Sequence, residues 1–457
     1  MIRQGLLVFE NNSRSAQRMA SRVAGLSLLD RMVRTLARAG IEHLVVVAPA
    51  GAPRELSRLA RQLRMQVEFL DWGAAPPASL TFGEGLLVLM GEYVHHHASL
   101  RELLRGGLEG CELVAQVSEA PPQPGPFRQV RLEEGRAAFA LAETGAGASS
   151  GAFLCAPRLF SLAGLLAARD AWNFLSARAR GRKVALRCAA APLWRRVEDR
   201  RGARAAKDML FSQVTKATSG FISRHLNARF SIPTSKLLIE TGISPHMVTV
   251  LLVLTTGLSS AYLISRPGEY VFLALAGILW QLAAIFDRCD GEIARVKLCE
   301  SKFGAWFDTI TDNIAYLCGY VGLLVGMHSR YPGSPLYLYL GISAIAALLL
   351  TLVIMYSYAL RTGSGSLQHY LVGFSRHVPD DQKGAVYKFM ERYGALAKRD
   401  SFSFVYFLAA LANWFDFMYW FTVIGLHGIA LGVLISQHKM LQGYRAGLEQ
   451  RAAENRP

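Results

Sequence analysis

Residues 287–312 read DRCDGEIARVKLCESKFGAWFDTITD, and the rest of the chain has to be arranged around them. Asp287, Asp290, Gly291, Ala294 and Arg295 come first; Gly304, Asp308 and Asp312 follow after a short spacer. At about 100° per helical residue, Asp287, Asp290, Gly291 and Ala294 share one face. Gly304, Asp308 and Asp312 stand at i, i+4 and i+8, a single stripe of a second helix. Apolar runs flank both sides, so two helices can bring the four carboxylates together near a membrane surface. Uncompensated, that much negative charge is costly there. A divalent metal is the natural remedy, and oxygen-only ligands favour Mg²⁺, Mn²⁺ or Ca²⁺ over zinc. Carboxylates inside or beside a membrane are rare and usually functional.

The spacing D-x2-D-G-x2-A-R-x8-G-x3-D-x3-D resembles the signature of the CDP-alcohol phosphotransferase family, with every fixed position met. With each residue type near 5%, a chance match in a chain of this length is roughly one in 10⁷–10⁸. The resemblance implies Asp287, Asp290 and Asp308 as ligands of Mg²⁺ or Mn²⁺, two divalent ions in all. It implies Asp312 as the base that takes the acceptor hydroxyl's proton and also touches the second metal. Gly291 and Gly304 remove side chains where phosphates must approach. Arg295 offers a fork suited to phosphate, with an ion pair to Glu292 or Glu300 as the plainer alternative. Ala294 and Thr249 complete the expected donor-binding set. The donor would be CDP-linked (CDP-diacylglycerol or a CDP-inositol-like compound), the acceptor an alcohol, and CMP the leaving group.

Composition sets wider bounds. A chain of 457 residues is too long for one compact core, so two or more domains are expected. It is 52% hydrophobic, and the excess sits in the second half. Net charge is +16, as expected of a membrane protein facing anionic lipid. No nucleic-acid partner is expected, since no finger, RRM or helix-turn-helix pattern occurs. The six cysteines show no CxxC pairing, which points to neither a zinc site nor a disulfide framework. No cleavable signal peptide is expected at the start.

The first half reads as an α/β domain with a mostly parallel sheet, spanning 1–205. Strands are expected at GLLVF, at HLVVVA (43–48), at VEFL and at LLVLM (86–90), with helices over 25–40, ending at Gly40, and about 53–64. This layout resembles the nucleotidyltransferase fold of sugar-phosphate cytidylyltransferases. That resemblance rests on RVAGLSLLDRMVRTLARAGIEHLVVVA, GEYV at 91–94, SGAFLCAPRLF at 150–160 and WRRVEDRRGARAAKDML at 194–210. Such enzymes hold triphosphate on a Gly-rich loop, whereas ENNSRSAQRMAS has no glycine. They also use a lysine, and residues 1–200 contain only Lys183. Their metal-holding aspartates correspond to Glu92 and Glu198. A first domain that is inactive or diverged is therefore expected, the alternatives being a bifunctional enzyme with an active cytidylyltransferase domain or a non-enzymatic membrane transporter or scaffold. His95–His97 is expected to be a solvated loop rather than a metal site.

An interfacial amphipathic helix and linker are expected over 206–246, because Phe221, Ile222, Leu226 and Phe230 alternate with Arg224, His225 and Arg229. Ser244-Pro245-His246-Met247-Val248-Thr249 resembles the family's S-P-N-x-V-T phrase, with His246 replacing Asn. An all-α transmembrane domain follows over 247–437, with a cytoplasmic tail at 438–457. Its six expected spans are about 247–265, 269–286, 304–327, 335–358, 401–416 and 418–437. Lys and Arg concentrate at 287–303, 359–400 and both termini, which puts the termini and the Asp motif on the cytoplasmic side of the inner membrane. The two-domain layout resembles enzymes joining CDP-inositol to inositol phosphate. An anionic acceptor needs cations, for which Arg361, Lys398 and Arg399 are the candidates. A homodimer is among the expected assemblies.

Overall fold

In the computed structural model, described residues run from 2 to 454, except 50–53, 76–82, 84, 125, 134–135, 143–146, 190, 216–219, 267 and 363–398. The chain divides into two compact units, Met1–Val214 with Val296–Leu298, and Thr215–Arg295 with Cys299–Pro457.

The first unit begins with β1 (Gln4–Val8), α1 (Ser13–Ala20), the short strands β2 (Arg22–Val23) and β3 (Leu26–Ser27), α2 (Leu28–Ala39), β4 (His43–Val47), α3 (Arg54–Leu63), β5 (Gln66–Leu70), β6 (Leu86–Met90), β7 (Tyr93–His95) and α4 (His97–Gly106). β8 (Leu113–Ser118), β9 (Phe127–Glu133), β10 (Arg136–Ala142), β11 (Ala148–Cys155), α5 (Leu162–Ala168), α6 (Ala171–Ala179), β12 (Val184–Cys188), β13 (Trp194–Arg196) and α7 (Arg200–Ser212) complete it. The α2 boundaries follow from capping chemistry: the Ser27 hydroxyl accepts from Asp30 N, and Gly40 closes the helix at φ 110°.

The main sheet runs β10-β9-β11-β6-β1-β4-β5, with β8 on β11 and β12 on β8. The expectation of a mostly parallel sheet holds for one half only. β6, β1, β4 and β5 are parallel; β6, β1 and β4 are buried, hence their apolar runs, whereas β5 lies at the sheet edge and alternates polar and apolar residues. The other half is largely antiparallel: β11 runs against β6 and β8, and β9 pairs with β10. Two residues separate β9 from β10, a connection that only an antiparallel pair can use. The sheet is therefore mixed.

The second unit is helical. A π-helical turn at Ser223–Asn227 leads into α8 (Ala228–Leu238). Then α9 (Pro245–Val248), a π-helical stretch at Thr249–Leu254 and α10 (Thr255–Ile264) run on as one apolar span of 20 residues. α11 (Tyr270–Val296), α12 (Lys302–Arg330), α13 (Pro335–Thr362), α14 (Arg399–Leu411) and α15 (Phe415–Glu454) follow. Among described residues, five helices rather than six are long and apolar enough to cross a bilayer. The expected fifth span is α14, of 13 residues. At 1.5 Å per residue it reaches about 20 Å, against the roughly 30 Å of a hydrocarbon core. It stops at Leu411 because Asn413 turns left-handed at φ 57° before α15 begins.

Candidate active site

The Asp stretch is the facing ends of two long helices. α11 continues unbroken from its apolar run through the first half of the motif. It closes where Cys299 N donates to Ala294 O, with Leu298 in the left-handed region at φ 51°. Ser301 then caps α12, accepting from Gly304 N at 2.9 Å. The helices' register does the rest. Asp287, Asp308 and Asp312 each offer a carboxylate oxygen, and these atoms lie within 4.8 Å of one another. Three oxygen donors at that spacing suit a hard divalent cation.

Asp290 borders this triad and reaches the Asp308 side chain. It is 6% exposed, and its Oδ2 accepts from Thr249 Oγ1 at 2.5 Å. Thr249, expected among donor-binding residues, is itself only 1% exposed and directed at Asp290. At Gly304 an added Cβ would stand 3.3 Å from His246 Cε1 and 3.2 Å from Ser301 Oγ, so that space is narrow. His246 packs edge-on against Phe303 and Phe307, at 5.7 and 5.2 Å between ring centres. At Gly291 the missing side chain makes room for the Arg295 guanidinium, 3.1 Å from an added Cβ. Glu292 pairs directly with Arg288 at 3.0 Å and acts on Arg295 as a nearby negative charge, as does Glu300. Ala294 lies half-buried on the same helix face. Arg361 is exposed near the end of α13. Lys398, the loop at 363–398 and the expected helix within it lie outside the described residues, and Arg399 is described only as the first residue of α14.

Two constellations near the motif carry no sequence signature. Asn313 donates to the Tyr356 hydroxyl at 2.7 Å, and Trp306 stacks on that ring at 5.5 Å. On the other side of α11, a buried ion pair fastens the helix to the juxtamembrane segment. Partners lie tens of residues away on other helices, so only the small buried serines hint at them.

The first unit holds a second cluster. A cavity of about 270 Å³ opens at the C-terminal ends of β1 and β6, the switch point of a parallel sheet. Glu10, Asn12, Glu92, Arg169, Asp170 and Trp172 are among the residues lining it. The stretch read as a loop folds instead into α1, because Asn12 Oδ1 caps it at Arg14 N. Glu92 and Glu198, the residues expected in place of metal-holding aspartates, share two arginines. Arg196 meets Glu198 at 2.7 Å and Glu92 at 3.6 Å, and Arg18 stands 3.9 Å from each. Burial pushes the Glu92 carboxyl up to about 7, with Glu10 adding repulsion and Arg196 opposing. Burial wins because the nearest cations stand beyond hydrogen-bond distance. His95 is no solvated loop residue: it is buried against Ser150 O at 2.8 Å, and burial holds it down at about 4.

Residues 243–434 match the CDP-alcohol phosphatidyltransferase family. A bifunctional IPC transferase and DIPP synthase of Rubrobacter xylanophilus is 34% identical over 333 residues, covering 68% of this chain and 73% of that one. That alignment is longer than the second unit, so it reaches into the first. The chain belongs to the CDP-alcohol phosphatidyltransferase family. A phosphatidylinositol phosphate synthase of Mycobacterium tuberculosis is 31% identical over 112 residues, covering 24% of this chain and 50% of that one. The structure of an inositol-1-phosphate CTP transferase from T. maritima overlies 46% of this chain and 97% of its own, loosely, at TM-score 0.34 and 12% identity. As a CDP-alcohol phosphotransferase, the protein keeps the family's Asp motif whole, on helices of bilayer-crossing length.

Proposed function

We propose that the second unit transfers a phosphoryl-alcohol group from a soluble CDP-inositol-like donor to inositol phosphate or a related polyol, with release of CMP. The convergence of Asp287, Asp308 and Asp312 carries this reading of the site. Asp287, Asp290 and Asp308 would hold Mg²⁺ or Mn²⁺, two ions in all. When bound, such ions neutralise the diphosphate's developing charge and hold it for in-line displacement. Asp287 and Asp308 would hold, from two helices at once, the cation to which the donor's diphosphate binds. The Thr249 hydroxyl keeps one Asp290 oxygen turned inward, leaving the other for the metal. Asp312, one turn deeper than Asp308, accepts the proton of the acceptor hydroxyl as its oxygen attacks phosphorus. Arg295, beside Gly291, offers its guanidinium to a phosphate oxygen.

The acceptor reading is supported by the names of the two-part relatives and by the cations Arg361, Lys398 and Arg399. The charge distribution supports cytoplasmic termini and a cytoplasmic mouth for the site. In the first unit, Arg18 and Arg196 occupy the carboxylates that a metal-nucleotide would need, which supports an inactive domain. A homodimer fits this reading and is testable by mass in detergent.

Radiolabelled CDP-inositol and CDP-diacylglycerol, each offered with a panel of alcohols to membranes holding the full chain, tests the proposal. Labelled diester from CDP-inositol and inositol phosphate is expected. Transfer from CDP-diacylglycerol alone would overturn the donor assignment.

A further inference from the structure

At about 100° per residue, Gln281, Ile285, Arg288 and Glu292 form one stripe of α11, and Asp287 and Asp290 fall on the far side. The stripe meets the juxtamembrane segment, where Ser223, Asn227, Ser231 and Ser235 recur every four residues. Three of these, Asn227, Ser231 and Ser235, are at most 1% exposed. Glu292 has no exposed surface. Its two oxygens accept from Ser231 Oγ at 2.8 Å and Ser235 Oγ at 2.7 Å. Arg288 pairs with Glu292 at 3.0 Å and also donates to Ser231 Oγ and Ser223 Oγ. Gln281 donates to Asn227 Oδ1 at 2.8 Å. Above this, Asp400 at the start of α14 accepts from Ser223 N at 2.7 Å. The polar stripe of the segment thus faces protein, while Phe221, Phe230 and Leu237 stand 70%, 56% and 70% exposed.

We infer that Arg288 and Glu292 are positioning residues for transfer. Core packing of Leu273, Ala276 and Trp280 holds the apolar run of α11, and past Gln281 the Arg288–Glu292 pair adds a polar hold on its back face. The buried pair ties that face to a segment whose outward side is apolar, so the carboxylates on the front keep their angle toward α12. Burying a full ion pair is costly and gives little net stability against apolar residues of similar volume. Its fixed fork geometry, by contrast, sets an orientation that apolar packing does not. The inference rests on reading Asp287 as a metal ligand.

The test uses the full chain in detergent and a double variant, Arg288→Met with Glu292→Leu, which strands no charge. Melting temperature, Mn²⁺ binding by electron paramagnetic resonance without substrate, and kcat and KM for the CDP-donor are measured. Near-normal melting is expected, with Mn²⁺ binding and kcat each weakened about 10–100-fold, the usual cost of disturbing a ligand's support. Recovery of both to within about twofold in a normally melting variant would overturn it. Should the double variant fail to fold, Ser231→Ala with Ser235→Ala leaves the ion pair in place and removes its two hydroxyl donors. The same weakening is then expected in smaller degree, and unchanged Mn²⁺ binding and kcat would overturn the inference. Asp287→Asn separates the two claims. If it binds Mn²⁺ normally, the ligand reading fails. If it loses Mn²⁺ while the clamp variants do not, the clamp inference fails.

Discussion

Asp312 and Asp290 differ in surroundings, and their proposed roles as base and ligand can be told apart by substitution. Asp312 joins the oxygen triad, whereas Asp290 is buried and bonded by Thr249. Asp312→Asn keeps shape and removes the proton acceptor, so turnover should drop about 10²–10⁴-fold with donor affinity largely kept. Asp290→Asn should weaken metal and donor binding together, since a lost ligand charge acts on the ground state too. Calorimetry of donor binding beside turnover decides; if Asp312→Asn binds as poorly as Asp290→Asn, Asp312 is mainly a ligand. In the first unit, Glu92 makes a prediction about pH. Its carboxyl sits at about 7 when folded, against an ordinary 4.5, so the native state binds the proton more tightly. Its stabilising contribution is full below about 4.5 and is lost as pH rises to about 7, at most about 3 kcal/mol. Glu92→Gln should flatten that dependence between pH 5 and 8, followed through the fluorescence of buried Trp172 and Trp194. An unchanged pH slope in the variant would assign the effect to other groups.

Helices α10 and α12 approach through glycines. A Cβ on Gly322 would lie 2.4 Å from Ala261 O, and one on Gly326 would lie 2.7 Å from Ile264 O. Backbone that close leaves no side chain able to yield, as in other small-residue helix contacts. Gly322→Val should therefore cost about 1–3 kcal/mol or more, read as a lower thermal midpoint in detergent; an unchanged midpoint would mean the helices separate freely. Much at this scale was legible beforehand. Apolar length marked the spans, and the i, i+4, i+8 spacing put Asp308 and Asp312 on one stripe because a helix repeats that way. Other parts were not legible. Whether a 13-residue apolar run crosses or stops depends on Asn413 adopting a left-handed turn, which many residues there could avoid. The Thr249–Asp290 bond joins residues 41 apart, and no local pattern announces it. The antiparallel half of the sheet was hidden because β9 and β11 alternate weakly, and the only sign of a helix in ENNSRSAQ was Asn12, a residue type that favours helix N-caps but is equally common in loops.

Two units of unlike chemistry share the chain. The first has a crevice at the C-terminal ends of β1 and β6, where Arg196 pairs with Glu198 while Arg18 and Arg196 face Glu92 from beyond hydrogen-bond distance. The full chain should accordingly form no CDP-inositol from CTP and inositol phosphate; turnover removed by Glu92→Ala would show that the domain is diverged yet active. The second unit carries all four motif aspartates on α11 and α12. In the proposed mechanism these carboxylates act through a divalent metal. CMP release by the purified full chain, followed in EDTA and again after adding Mg²⁺ or Mn²⁺, tests it most directly. Release should vanish with chelation and return with either ion; undiminished release in metal-free buffer would contradict the account.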